Sequence, residues 1–200
     1  MVDRWANTVV HPTMEDIVEY VPRQISADTI TLVGFVIGMV AVPLLCIKLY
    51  SLALVFILIN RFCDGLDGAV ARRNGITSLG GFLDITCDFI FYSAVILGFA
   101  LAEPEQNSLA ATFLIFSFMG TGASFLAFAA VAEKHGISSE AQGQKAFYYL
   151  EGLAEGTETI LFYIIICLFP EYFPALAVIF GGICWLTVIG RFGSAFSLLR

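Results

Sequence analysis

Four aspartates, Asp64, Asp67, Asp84 and Asp88, fall close together in a chain that is otherwise largely apolar. An ionised Asp at the bilayer centre costs about 3 kcal/mol on insertion scales, so such a cluster implies a compensating cation or a polar cavity. The stretch reads Asp64-Gly65-Leu66-Asp67-Gly68-Ala69-Val70-Ala71-Arg72 and, after seven residues, Gly80-Gly81-Phe82-Leu83-Asp84-Ile85-Thr86-Cys87-Asp88. On a helix advancing about 100° per residue, Asp64, Asp67 and Ala71 lie within about 60° of one another, and Asp84 and Asp88 within about 40°. Two helices can thus face four carboxylates into one cavity. Oxygen-only ligands suit Mg²⁺, Mn²⁺ or Ca²⁺, and the lack of His or Cys partners disfavours zinc and iron. Two such ions would neutralise a pyrophosphate and orient an in-line displacement at phosphorus. Gly68 and Ala71 are small enough to admit a ligand against the helix, and Arg72 offers a planar fork for phosphate. A single intramembrane Asp is open to reading as a proton relay or an inter-helix hydrogen bond, and a single Gly as a packing contact. The whole set in register points to a nucleotide diphosphate.

These side chains need long apolar helices to carry them. The run Leu52 to Asn60 is too short to cross a bilayer unless its helix continues through the motif to about Ala71. That places Asp64 roughly 18 Å along the helix from Leu52, inside the hydrocarbon or at its inner boundary. The same reasoning applies to Leu161 to Phe169, whose helix should begin near Glu151 and draw Glu155, Thr157 and Glu158 to membrane depth. The fold expected is all-α, with six spans over about 30–47, 50–71, 81–101, 109–132, 151–169 and 173–192. Gly34 and Gly38 form a GxxxG suited to close helix packing, and Pro43 lies near the far end of the first span. Ahead of the spans, Met14, Ile17, Val18 and Val21 recur at helical spacing among Glu15, Asp16 and Glu19, which predicts a short amphipathic surface helix over about 14–22.

Composition agrees with this layout. Hydrophobic residues make up 58% of the chain and charged residues 14%, and the mean hydropathy is +0.86, values of the polytopic membrane class. The acidic residues near the start exclude a basic n-region followed by an apolar core, so no signal peptide is expected. With no low-complexity linker, residues 1–200 read as one domain. A net charge of -7 argues against a nucleic-acid partner, because no basic stripe is present to neutralise phosphates. Cys46, Cys63, Cys87, Cys167 and Cys184 form no C-x-x-C pair and read as packing residues. Nine basic residues, Arg4, Arg23, Arg61, Arg72, Arg73, Lys134, Lys145, Arg191 and Arg200, fall on one side of the six-span layout, and only Lys48 falls on the other. The positive-inside rule then puts both termini and the aspartate motif in the cytoplasm. Tyr148 and Tyr149 read as interfacial anchors, and His11 and His135 as solvated side chains.

The pattern D-x-x-D-G-x-x-A-R, then seven or eight residues, then G-x-x-x-D-x-x-x-D resembles the signature of the CDP-alcohol phosphatidyltransferases. Asp64, Asp67, Gly68, Ala71, Arg72, Gly80, Asp84 and Asp88 meet every fixed position. The six-helix layout, the surface helix and the run Thr29-Ile30-Thr31-Leu32 entering span one are also similar to the family. Within it the chain looks most like a phosphatidylglycerophosphate synthase-like branch of the bacterial inner membrane. The resemblance implies transfer of a phosphatidyl group from CDP-diacylglycerol to an alcohol with release of CMP. Asp64, Asp67 and Asp84 would hold two Mg²⁺ or Mn²⁺ ions. Asp88 would help hold one ion and act as general base, and Gly68, Ala71, Arg72 and Thr31, together with Asp64 and Asp67, would hold the CDP. Gly80 would be the motif glycine, and the family's tendency to form homodimers would apply.

One departure bears on the acceptor. Members that use a phosphorylated acceptor carry basic residues near the start of span five, often as G-K-x-K-T. Here the corresponding run is Gly152-Leu153-Ala154-Glu155-Gly156-Thr157-Glu158-Thr159. Two carboxylates there would repel an acceptor phosphate, with Arg191, Lys145 or Lys134 left to supply positive charge. Glycerol 3-phosphate is therefore the acceptor by resemblance, and a neutral polyol, an amino alcohol or a second lipid by charge. Glu155 and Glu158 also read as interfacial residues that need not face an acceptor. Rival readings are a divalent-cation transporter, which would spread its acidic residues along a route across the bilayer, and an inactive membrane scaffold, which need not keep all four aspartates.

Overall fold

The structure is a computed structural model that describes residues 14–134 and 156–198. Every regular element among the described residues is helical: α1 (Ala27–Met39), α2 (Ala41–Cys46), α3 (Tyr50–Asn74), α4 (Ser78–Ala102), α5 (Pro104–Lys134), α6 (Gly156–Leu168), a single 3-10 turn (Pro170–Tyr172) and α7 (Phe173–Leu198). His11, His135, Lys145, Tyr148, Tyr149 and Glu155 lie outside the described residues.

Among the described residues, four segments are long and apolar enough to cross a membrane: Ala27–Cys46, Ser78–Ala102, Pro104–Ala132 and Pro170–Ser197. Helix α3 has the length, at 25 residues, but it carries Arg61, Asp64, Asp67, Arg72 and Arg73 and so falls outside that group. The described part of α6 has 13 residues. The first span is not one helix. It breaks at Val40, because Pro43 has no N–H to give the carbonyl of Met39 and its ring crowds that carbonyl. Val40 closes α1 with a tight bond from its N–H to the carbonyl of Ile37, at 3.1 Å. Helix α2 then ends in a Schellman turn, with Leu49 N–H bonded to the Leu44 carbonyl and Lys48 N–H to the Leu45 carbonyl, each at 2.9 Å. Lys48 takes the left-handed position there, at φ 63°.

Tyr50 stacks on Phe99 at 5.4 Å between ring centroids, and Phe99 on Phe173 at 4.7 Å. These contacts gather the start of α3, the end of α4 and the start of α7 at one end of the bundle. Lys48 Nζ adds an ion pair to Glu103 at that end, at 2.6 Å. Between the ends, Leu45, Ile57, Phe91, Leu114, Tyr163 and Ile166 are fully buried in one core cluster. In lipid such a core coheres through close van der Waals packing rather than exclusion of water.

The opposite end holds the aspartates. Thr77 caps α4 by accepting the Gly80 N–H at 2.9 Å, and Gly75, at φ 111°, allows the sharp turn out of α3. Ahead of α1, residues 14–18 are helical. The apolar side of this segment lies on α3, where Val18 is buried with Ala69 and Val70, and Met14, Val21 and Leu66 pack around them. Arg73 fixes this segment, donating from Nη1 to the carbonyls of Val18 and Val21.

Candidate active site

Close contact between α1 and α3 builds the floor of the site. A Cβ on Gly34 would stand 2.5 Å from Cys63 Cβ, and one on Gly38 would stand 2.7 Å from Asn60 Cβ. The GxxxG is thus the surface against which the motif helix rests. At this distance Asn60 Nδ2 donates to the Gly34 carbonyl at 3.0 Å, and one turn away the Thr31 hydroxyl donates to Asp67 Oδ2. Asp67 is only 4% exposed, so the Thr31 hydroxyl fixes a carboxylate that water hardly reaches.

Thr31, Gly34, Phe35, Asn60, Arg61, Asp64, Asp67, Cys87 and Asp88 line one narrow cleft. Three of the four motif carboxylates, two from α3 and one from α4, thus line the same cleft. Asp84 is exposed and does not line that cleft.

Arg61 sits among them. Its side chain is 7% exposed, and its guanidinium lies 2.7 Å from Asp88 Oδ1 and 3.6 Å from Asp64 Oδ2. Nε and Nη2 donate to Asn60 Oδ1 at 2.9 and 2.6 Å, and Nη1 donates to the Tyr92 hydroxyl at 2.9 Å. That hydroxyl in turn donates to Asp88 Oδ2 at 3.1 Å. The cation also lies over the Phe91 and Tyr92 rings, at 5.1 and 5.0 Å from their centroids. Sequence reasoning counted Arg61 only as a topological charge and passed over Asn60 and Tyr92. A usable signal was present, since Arg61 precedes Asp64 by three residues and so shares its helix face.

The nucleotide-side residues of the motif stand along the end of α3. Arg72 is exposed and folds back so that Nη1 would be 3.5 Å from a Cβ on Gly68. Gly80 has a separate reason to be small, because a Cβ there would meet Thr77 Oγ1 at 3.0 Å and Asp28 Oδ1 at 3.1 Å.

The acceptor candidates divide. The start of α6 reaches the site, where a Cβ on Gly156 would be 4.0 Å from the Tyr92 hydroxyl, and the Tyr163 hydroxyl donates to the Tyr92 carbonyl at 3.0 Å. Glu158 lies half-buried in the first turn of α6. Arg191 is 8% exposed and faces α5 instead, with Nη1 2.8 Å from the Thr121 carbonyl and its guanidinium 5.4 Å from the Phe125 centroid.

An all-carboxylate donor set fits a hard divalent cation by its chemistry. Among the described residues, however, no three acidic, His or Cys side chains are gathered closely enough to enclose an ion. Asp88 is engaged by Arg61, and Asp84 stands outside the cleft.

The family model described as CDP-alcohol phosphatidyltransferase matches residues 24–190. The inner membrane protein YnjF of Escherichia coli (strain K12) is 51% identical over 100% of this chain and 98% of its own length. The archaetidylinositol phosphate synthase of Pyrococcus horikoshii is 32% identical over 48% of this chain and 51% of its own. Among solved structures, the phosphatidylinositol phosphate synthase PgsA1 of Mycobacterium tuberculosis with CDP-DAG bound superposes with a TM-score of 0.62 at 18% identity. That match covers 95% of this chain and 94% of the other. The same enzyme in complex with manganese and citrate gives a TM-score of 0.63 at 19% identity, covering 94% and 90%. At these identities the two structures are similar in fold.

Proposed function

The chain belongs to the CDP-alcohol phosphatidyltransferase family, and from that premise we propose that it moves a phosphatidyl group from CDP-diacylglycerol to an alcohol and releases CMP. The observation that carries this reading is the meeting of Asp64, Asp67 and Asp88, from two helices, in one cleft beside Thr31. Asp64, Asp67, Asp84 and Asp88 are proposed to hold one or two Mg²⁺ or Mn²⁺ ions once the nucleotide is in place; the manganese complex of the similarly folded synthase supports this choice of metals. Such ions supply charge neutralisation at the diphosphate.

The chain's own groups account for the remaining requirements. Gly68 and Ala71 leave room for the nucleotide along α3, and the exposed Arg72 gives its phosphates a two-pronged donor. Thr31 keeps the buried Asp67 in one orientation. Asp88 lies at the α6 side of the cleft, where it would accept the proton of the acceptor hydroxyl as the new bond to phosphorus forms. A hydroxyl of pKa about 15 needs a base within hydrogen-bond reach.

The acceptor is proposed to be an uncharged alcohol rather than a phosphate ester such as glycerol 3-phosphate. Among the described residues, Arg61 is the one cation lining the cleft, and its donors are directed to Asn60, Tyr92 and Asp88. The run from Gly152 to Thr159 adds carboxylates rather than lysines.

We further propose that residues 1–200 form one domain of six spans, with α3 and α6 completing the four apolar crossings and residues 14–22 lying at the interface. The location proposed is the bacterial inner membrane, supported by the name of the Escherichia coli relative. Both termini and the cleft would face the cytoplasm, and the protein would work as a homodimer. The test is CMP release by the purified protein with CDP-diacylglycerol and Mg²⁺ or Mn²⁺, across glycerol 3-phosphate, inositol phosphate, glycerol, serine, ethanolamine, choline and phosphatidylglycerol. Release with an uncharged acceptor is expected. No CMP with any acceptor, together with divalent-ion flux in proteoliposomes, would replace this reading with a transporter.

A further inference from the structure

The apolar outer side of α4 does not stop where the helix does. Leu79, Phe82, Ile90, Leu97 and Leu101 are all exposed and fall within about 100° of one another around the axis. From Leu79 to Leu101 this stripe is about 33 Å long at 1.5 Å per residue, slightly more than the roughly 30 Å hydrocarbon core of a bilayer. Its far end is marked by the ion pair of Lys48 and Glu103, charges that belong among headgroups or in water. Measured back from there, the hydrocarbon ends within the first turn of α4. Ile76 lies beyond that limit, in the turn from α3, and yet is 80% exposed among the described residues. We propose that the turn between α3 and α4 is an interfacial anchor, with Ile76 and Leu79 seated among the lipid headgroups and glycerol backbones at the aspartate end of the bundle. The inference rests on α4 as a membrane span and adds the contact that fixes its depth.

Three features favour a lipid surface as the occupant. Ile76 and Leu79 continue the stripe that α4 presents along its length, so the surface they meet is the one the stripe meets. Positive charge surrounds them: Arg72 stands exposed in the last turn of α3, and Arg23 is exposed ahead of α1. The heads of α1 and α4 are held together, since Asp28 Oδ1 lies 3.1 Å from the Cβ position of Gly80. Such cations match the anionic headgroups of a bacterial leaflet. Finally, the other apolar candidate at this end is already covered. The segment 14–18 buries Val18 against Ala69 and Val70 and leaves Glu15 and Asp16 exposed, a face that anionic headgroups repel. One consequence concerns the motif: Asp84, five residues along α4 from Leu79, lies about 8 Å inward of the anchor.

The test places a tryptophan at each surface of the full-length protein in vesicles of phosphatidylcholine and phosphatidylglycerol. Ile76→Trp and Asp16→Trp are made in a Trp5→Phe/Trp185→Phe background. Ile76→Trp should lose about half its emission to lipid brominated near the top of its acyl chains, and acrylamide should quench it about threefold less than Asp16→Trp. The reverse pattern would make residues 14–18 the anchor and overturns the inference. Shielding of Ile76→Trp from both quenchers would mean that protein covers the turn, a second copy of the chain included, and overturns it equally. Should the background fail to fold, the same readings are taken as increments over the emission of the wild-type protein. Trp5→Phe alone checks the premise, because Trp185, in the middle of α7, should then be out of reach of acrylamide. If acrylamide quenches it freely, the reading of these helices as spans fails, and the anchor falls with it.

Discussion

Adding one methyl group at Gly34 should disable the site without touching a motif residue. In Gly34→Ala the new Cβ would lie 2.5 Å from Cys63 Cβ, whereas carbon–carbon contacts are optimal near 3.5–4.0 Å. The shortfall is about 1 Å. Neither atom lies at the end of a flexible side chain, so α1 and α3 must part by a similar distance. Overpacking of this kind costs about 1–3 kcal/mol. Separation also stretches the 3.0 Å bond from Asn60 to the Gly34 carbonyl, worth about 1 kcal/mol. The sum, on the order of 3 kcal/mol, corresponds to a fall in Tm of about 10 °C for a chain of this size. The effect on catalysis should be larger than the stability loss suggests. Asn60 anchors Arg61, and Thr31 anchors Asp67 across the same contact, so a shift of about 1 Å misplaces two site groups and should cost about 100-fold in turnover. The assay is CMP release alongside thermal unfolding in detergent. Gly182→Ala serves as control, since nothing lies within 4 Å of its added Cβ. Wild-type Tm and wild-type turnover in Gly34→Ala would refute the packing argument, because a contact that absorbs a methyl group without cost cannot be this close.

Asp88→Asn should reduce turnover by at least about 100-fold while leaving CDP-diacylglycerol binding within about threefold, since the isosteric amide keeps the space but not the base; full activity would remove Asp88 from that role. Asp67→Ala should abolish metal-dependent CDP binding measured by calorimetry, and unchanged binding would count against an ion at this carboxylate. Arg73→Met removes two bonds from a charged donor to the carbonyls of Val18 and Val21, each worth about 1.5–3 kcal/mol, so amide exchange over residues 14–22 should accelerate at least tenfold; unchanged protection would show that Val18 packing alone holds the segment. Lys48→Gly relieves a left-handed residue at φ 63° and loses only an exposed, solvent-screened ion pair; Tm should stay level or rise, and a fall of several degrees would mean that the Glu103 pair matters more than its exposure implies.

The helical periods of Asp64, Asp67 and Ala71, and of Asp84 and Asp88, are properties of the sequence alone. They suffice to put the motif carboxylates on one face of each of two helices, because residues three and four apart share a face whatever lies opposite. The GxxxG was legible for a similar reason, since only a close neighbour explains two glycines at that spacing on a span. The break at Val40 was implicit in Pro43, whose ring acts on the residue four positions earlier. What those periods leave undecided is which element stands opposite and how each side chain turns. Only the packed bundle ties Asn60 to the Gly34 carbonyl, brings Arg61 against Asp88, and leaves Asp84 outside the cleft that Asp88 lines. Arg61 shows the difference most plainly. In the sequence it is one of nine basic residues on one side of the layout, whereas in the fold it is a buried cation between two carboxylates. A charge's meaning in a membrane protein depends on whether its helix face meets lipid, water or another helix, and that is fixed by contacts between segments distant in sequence.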